Sequence, residues 1–149
     1  MPPQPITPAA VWQALTPRPP QSHKGTFGRV LIAAGSARYR GAAALCCEGA
    51  LRAGAGIVTL ASVEPVLALT PECTLQPCTP DEEGGISVEN LAALRQTLAA
   101  CTALVLGPGL GGAAGALGHQ ALALQTVLRP QEVRHLIDQA CLIFFPRVG

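Results

Sequence analysis

Aromatic and charged side chains are both scarce in this chain. Of its 149 residues only Trp12, Phe27, Tyr39, Phe144 and Phe145 are aromatic, and 13% are charged, ten basic against nine acidic. The first shortage rules out a bulky aromatic core. The second, with a net charge of +1, leaves no electrostatic footprint for nucleic acid or an anionic membrane. No stretch supplies the roughly 18 apolar residues that cross a bilayer without a Pro, Gly or charge interrupting it. The opening residues also lack the basic and apolar regions of a secretory leader. The expectation is a soluble, cytoplasmic protein with no nucleic acid and no membrane among its partners.

Acid and base groups are equally sparse. Asp81 and Asp138 are the only aspartates, and His23, His119 and His135 share no metal-ligand spacing. No carboxylate cluster stands ready for magnesium, no serine sits in a nucleophile elbow and no cysteine has an evident histidine partner. From the residues alone, no catalytic group and no metal ligand is assigned. Arg38 to Arg40 and Glu82-Glu83 read as solvated faces, and Glu48 faces either solvent or a partner surface. The six cysteines include the neighbours Cys46-Cys47 and the pair Cys73 and Cys78. Neither spacing matches a zinc knuckle or a redox CxxC, so all six are expected to be small buried or half-buried hydrophobes.

What the chain has in quantity is small residues, 25 Ala and 16 Gly, within a composition that is 49% hydrophobic. That suits thin, close-packed layers and excludes disorder throughout. Seven prolines in the first twenty residues mark residues 1–21 as a tail, and 22–149 form one domain. Arg29 to Ala34 is an apolar run without alternation, the mark of a strand buried on both faces. A helix over 41–53 and a second strand, Ile57 to Ala61, complete a βαβ unit. A short helix is expected over 64–70, a strand around Cys73 to Cys78, a helix over 87–100 capped by Ser87, and a third buried strand at Ala103 to Leu106. A further helix over 113–128 and a strand near Arg134 to Asp138 follow. Cys141 to Phe145 fits either another strand or a frayed apolar tail, with an unpaired sheet edge as the hazard if the chain stops there. The fold class is α/β, with a largely parallel sheet covered on both faces.

Ligands of such sheets bind beyond the carboxyl ends of the strands. Two loops therefore matter. Gly35 to Ala43 follows the first strand and ends at a helix N-terminus, where backbone N–H groups and the positive end of the dipole can hold a phosphate. Small residues there also simply let helix and strand approach, and the sequence leaves both readings open. Gly107 to Gly112 follows the third strand with four glycines around one proline. It is neither the dinucleotide GxGxxG nor a P-loop.

The stretches His23-Lys24-Gly25-Thr26-Phe27-Gly28-Arg29-Val30, Ala34-Gly35-Ser36, Gly41-Ala42-Ala43 and Ala50 to Thr59, followed by Gly107-Pro108-Gly109-Leu110-Gly111, resemble the first half of the NAD(P)H-hydrate dehydratase family. The resemblance implies a ribokinase-like three-layer α/β/α fold, apparently truncated. It implies dehydration of (S)-NAD(P)H-hydrate to NAD(P)H, driven by ATP or ADP as phosphoryl donor with Mg2+. In that reaction the hydrate's hydroxyl is phosphorylated and the phosphate then eliminated. By the same resemblance, Ala42 and Gly111 touch the hydrated dinucleotide, and Gly35 and Gly109 shape the same cleft. The donor-nucleotide residues stay unassigned.

The family's later glycine-rich nucleotide loop and its Gly-Asp catalytic base have no counterpart in these 149 residues. Leu136 to Leu142 resembles the next family strand, with Ala140 where a second aspartate is usual. The expectation is a substrate half-site that is inactive alone, in a homo-oligomer or with a missing C-terminal half as partner. The alternative is a non-catalytic fragment acting only as a binding or partner-dependent α/β domain. An ordinary dehydrogenase fits worse, because no acidic residue stands at the ribose position after the first strand.

Overall fold

The computed structural model describes residues 5–15, 17–66, 71–111 and 142–144. Five strands form one sheet: β1 (Arg29–Ala33), β2 (Ile57–Ser62), β3 (Thr74–Pro77), β4 (Ala103–Leu106) and β5 (Leu142–Phe144). Their order is β3-β2-β1-β4-β5. The first four are parallel, with Leu31 in register with Thr59 on one side and Leu104 on the other. β5 runs antiparallel to β4, Val105 facing Ile143. Leu142–Phe144, within the apolar run expected to be a strand or a tail, thus pairs the edge that β4 would otherwise leave open.

Helices cover the two faces. β1 has no polar face, because its alternate residues enter different cores. Ile32 and Ala34 pack with Val58 and Leu60 of β2 and with Ala43, Ala44 and Cys47 of α2 (Arg40–Arg52). Leu31 and Ala33 pack with Leu104 and Leu106 of β4 and with Leu94 and Leu98 of α3 (Leu91–Leu98). Leu31, Ile32 and Leu60 are each at most 1% exposed, and burial of such a side chain is worth about 2 kcal/mol. The alanines of α2 let that helix lie close to the sheet. This is the α/β fold with a mostly parallel sheet flanked by helices that the sequence predicts.

Close approaches fix the edge of the sheet where β1 and β2 begin. A Cβ on Gly56 would run into the Lys24 carbonyl, so only glycine lets β2 start there. The Thr102 hydroxyl accepts from Arg29 N at 2.9 Å and donates to Arg29 O at 2.9 Å, clasping the starts of β1 and β4. The Arg18 guanidinium donates to Gly54 O at 3.3 Å and lies 4.2 Å from the centre of the Phe27 ring.

Several local expectations need correction. The Pro-rich tail carries a helix, α1 (Pro8–Ala14), because Pro8 stands in its first turn and the Thr7 hydroxyl accepts from Ala10 N at 3.2 Å. Glu64 and Pro65 do not open a helix: β2 runs on to Ser62, residues 63–66 are irregular, and 67–70 lie outside the described residues. The helix expected over 87–100 divides into a 3-10 turn, Val88–Asn90, capped by the Ser87 hydroxyl, and α3. The helix expected over 113–128 and the strand near Arg134 to Asp138 also lie outside the described residues. Glu48 pairs with Arg52 one turn along α2 at 2.5 Å, both side chains solvent-exposed. Cys47, Cys73 and Cys78 are buried and Cys46 and Cys101 half-buried, as expected, and Cys141 lies outside the described residues.

Candidate functional site

The strand order reverses at β1. The chain leaves β1 for β2 and β3 on one side, then returns to place β4 on the other. The loops after β1 and β4 therefore leave the sheet side by side, the topological switch point at which doubly wound sheets bind ligands. Ala33 and Leu106 end their strands in register. Gly107 N donates to Ala33 O at 3.2 Å, and Gly35 N donates to Pro108 O at 2.8 Å.

The contact tightens at Gly109. A Cβ there would lie 2.7 Å from the Ala42 Cβ and 3.0 Å from both the Cβ and the carbonyl oxygen of Tyr39. Its φ of +73° is also one that side chains disfavour. Gly35 has the same double requirement, with φ +78° and a position where a Cβ would be 2.9 Å from that of Ala43. Gly111 lies further along, its own Cβ position 3.9 Å from the Ser36 hydroxyl. Leu110, 2% exposed, anchors the loop in the core between them. All four residues singled out from the sequence, Gly35, Ala42, Gly109 and Gly111, thus meet at one place. Gly112 lies outside the described residues.

The electrostatics of this place come mainly from the backbone. α2 begins here at Tyr39 without a side-chain cap and with no acidic residue in its first turn, so its positive end is not locally neutralised. Ser36 is buried, and its carbonyl and hydroxyl accept from Tyr39 N at 3.1 and 3.3 Å. Arg38 lies 5.7 Å from the centre of the Tyr39 ring, and both side chains are exposed.

Three features at this edge escape sequence reasoning. Ser36, in the Gly35-Ser36 pair, is 3% exposed. Ser62, at the end of β2, is 2% exposed, and its hydroxyl has no hydrogen-bond partner. That oxygen is 3.3 Å from where a Gly35 Cβ would stand. The third feature is the turn around Asp81, which reaches Ala37 through Gly84.

Other candidate groups are elsewhere. His23 caps the 3-10 turn Lys24–Phe27, its Nδ1 accepting from Gly25 N at 3.1 Å. The carboxylate of Asp81 accepts backbone N–H groups within its own turn. His119, His135 and Asp138 lie outside the described residues. Among the described residues no three His, Cys, Asp or Glu side chains group so as to hold a metal ion. Among them, too, no helix is long and apolar enough to cross a membrane.

The profile of the NAD(P)H-hydrate dehydratase family matches residues 30–145. An ADP-dependent (S)-NAD(P)H-hydrate dehydratase of Listeria monocytogenes is 36% identical over 110 residues, which is 71% of this chain and 36% of that protein. Its counterpart in Xanthomonas campestris is 45% identical over 95 residues, covering 61% of this chain and 32% of that one. A ribokinase-like superfamily protein of Enterococcus faecalis superposes with a TM-score of 0.58 at 29% identity, covering 72% of this chain and 37% of its own. The ADP/ATP-dependent NAD(P)H-hydrate dehydratase of Bacillus subtilis, co-crystallised with ATP/Mg2+, gives a TM-score of 0.51 at 29% identity, over 70% of this chain and 36% of its own. The chain spans about a third of the length of these four proteins. A match through most of the chain, carrying the loops after both β1 and β4, leads to one assignment: the chain belongs to the NAD(P)H-hydrate dehydratase family.

Proposed function

We propose that this chain carries the seat for the hydrated dinucleotide in the ATP- or ADP-dependent repair of NADH or NADPH. The observation that carries the reading is the close approach of Gly109 to Ala42 and Tyr39 beside the Gly35–Pro108 bond. It joins two glycine-lined loops over the carboxyl ends of β1 and β4, next to an uncapped helix N-terminus. Backbone N–H groups there suit the phosphates of a dinucleotide, and the small side chains let it approach.

In the overall reaction the hydroxyl of the hydrated nicotinamide ring takes a phosphoryl group from ATP or ADP. Loss of that phosphate and a ring proton then restores the double bond. The role of the residues described here is to bind and orient the hydrate, with Ala42 and Gly111 touching it and Gly35 and Gly109 shaping the cleft. Phosphoryl transfer rests on positioning and on charge stabilisation around the transferring group. Those parts are not assigned to the residues named above.

Calorimetric titration of the chain with NADH hydrate and NADPH hydrate tests the proposal. Saturable binding, abolished by Ala42→Leu in a variant that retains its fold, is expected. Absence of binding by the folded wild-type chain would overturn it and favour the second reading, an α/β domain that depends on a partner.

A further inference from the structure

The sequence Pro80-Asp81-Glu82-Glu83-Gly84-Gly85-Ile86 is polar, and its ends pair as an antiparallel bridge between Pro80 and Ile86. Asp81 builds the turn: its carboxylate oxygen accepts from Glu83 N at 3.0 Å and Gly85 N at 2.7 Å, and its N–H donates to Gly85 O at 2.8 Å. At the base, Ser87 N donates to Thr79 O at 3.0 Å. One side chain staples that base. The Asn90 carboxamide accepts from Thr79 N at 2.9 Å and donates to Thr79 O at 2.9 Å and Ser87 O at 2.8 Å. Ile86, 1% exposed, roots the hairpin in the core beside Leu31 and Leu94.

The tip touches the crevice. Ala37 N donates to Gly84 O at 2.9 Å, and a Cβ on Gly84, whose φ is +78°, would lie 3.0 Å from that of Ala37. The loop after β1 is thus gripped from two sides, at Gly35 by Pro108 and at Ala37 by Gly84. Ser36, the residue opposite Gly111, lies between the two grips.

We propose that the 79–87 hairpin is the third wall of the crevice, and that Asn90 is a positioning residue that holds its tip against the loop bearing Gly35 and Ser36. The proposal rests on the reading of the crevice as a dinucleotide seat. Fixing the loop before the ligand arrives lowers the ordering cost of binding, which is the contribution Asn90 makes.

Amide exchange and NADH-hydrate titration of the chain, of Asn90→Ala and of Gly84→Ala test this. Removing the staple is expected to speed exchange at the Ala37 amide by about tenfold and to weaken hydrate binding by about tenfold, the scale of one hydrogen bond. The Leu31 and Val58 amides in the sheet should keep their protection. Gly84→Ala leaves the staple in place and acts only at the tip, so it should reproduce both effects, and it decides the matter if Asn90→Ala does not fold. Unchanged affinity in folded variants whose melting temperature has dropped is the pattern of a purely structural role and overturns the proposal, as does unaltered exchange at Ala37. Failure of the wild-type chain to bind overturns the dinucleotide reading instead, and exchange at Ala37 then still decides whether Asn90 positions the loop.

Discussion

Gly109 and Ala42, far apart in the chain, approach so closely that a methyl group on the glycine would lie 2.7 Å from the alanine's own. This contact joins the loops after β1 and β4 into one surface. Gly109→Ala adds that methyl group at a φ of +73°, combining backbone strain with overpacking against Ala42 and Tyr39. The expected loss of stability is roughly 2 to 4 kcal/mol, measurable by urea unfolding. A change smaller than about 0.5 kcal/mol, the scale of an ordinary surface substitution, would mean the loops are less tightly joined.

Ser62 behaves in the opposite sense. A buried hydroxyl with no partner bears its desolvation cost without return, so Ser62→Ala should leave stability within about 0.5 kcal/mol of wild type or raise it. A loss of a kilocalorie or more on unfolding would reveal a hydrogen bond to this hydroxyl.

Alkaline pH should weaken the fold through Cys78. Burial pushes its thiol from 9.0 up to about 11, so the folded chain holds this proton more tightly than the unfolded chain does. Below pH 9 both states are protonated and the native state keeps its full margin. Between pH 9 and about 11 the unfolded thiol ionises ahead of the folded one, and stability falls progressively as the pH rises. Denaturant midpoints measured across this range should drop less in Cys78→Ala than in wild type, and equal drops would contradict the assignment.

Much of this architecture is legible in the residues. β1, β2 and β4 are central parallel strands and appear as unbroken apolar runs, so their limits fall within a residue of expectation. The alanine-rich α2 is equally plain, and Gly35, Ala42, Gly109 and Gly111 announce themselves by lacking side chains after strands. What cannot be read is anything set by distant partners. Thr7 and Pro8 start a helix inside a segment whose prolines argue against one. The Asp81 turn is visible as a turn, but nothing local says that Gly84 ends beside Ala37. Burial of Ser36 and Ser62 depends on strand order, which individual segments do not encode.

The most direct measurement is amide exchange across the whole chain with and without saturating NADH hydrate. Joint protection of Gly35, Gly107 and Gly109 is expected, with Arg29 and Ile57 at the far edge of the sheet unaffected. Protection confined to that far edge, or exchange indifferent to the hydrate in both loops, would contradict the account.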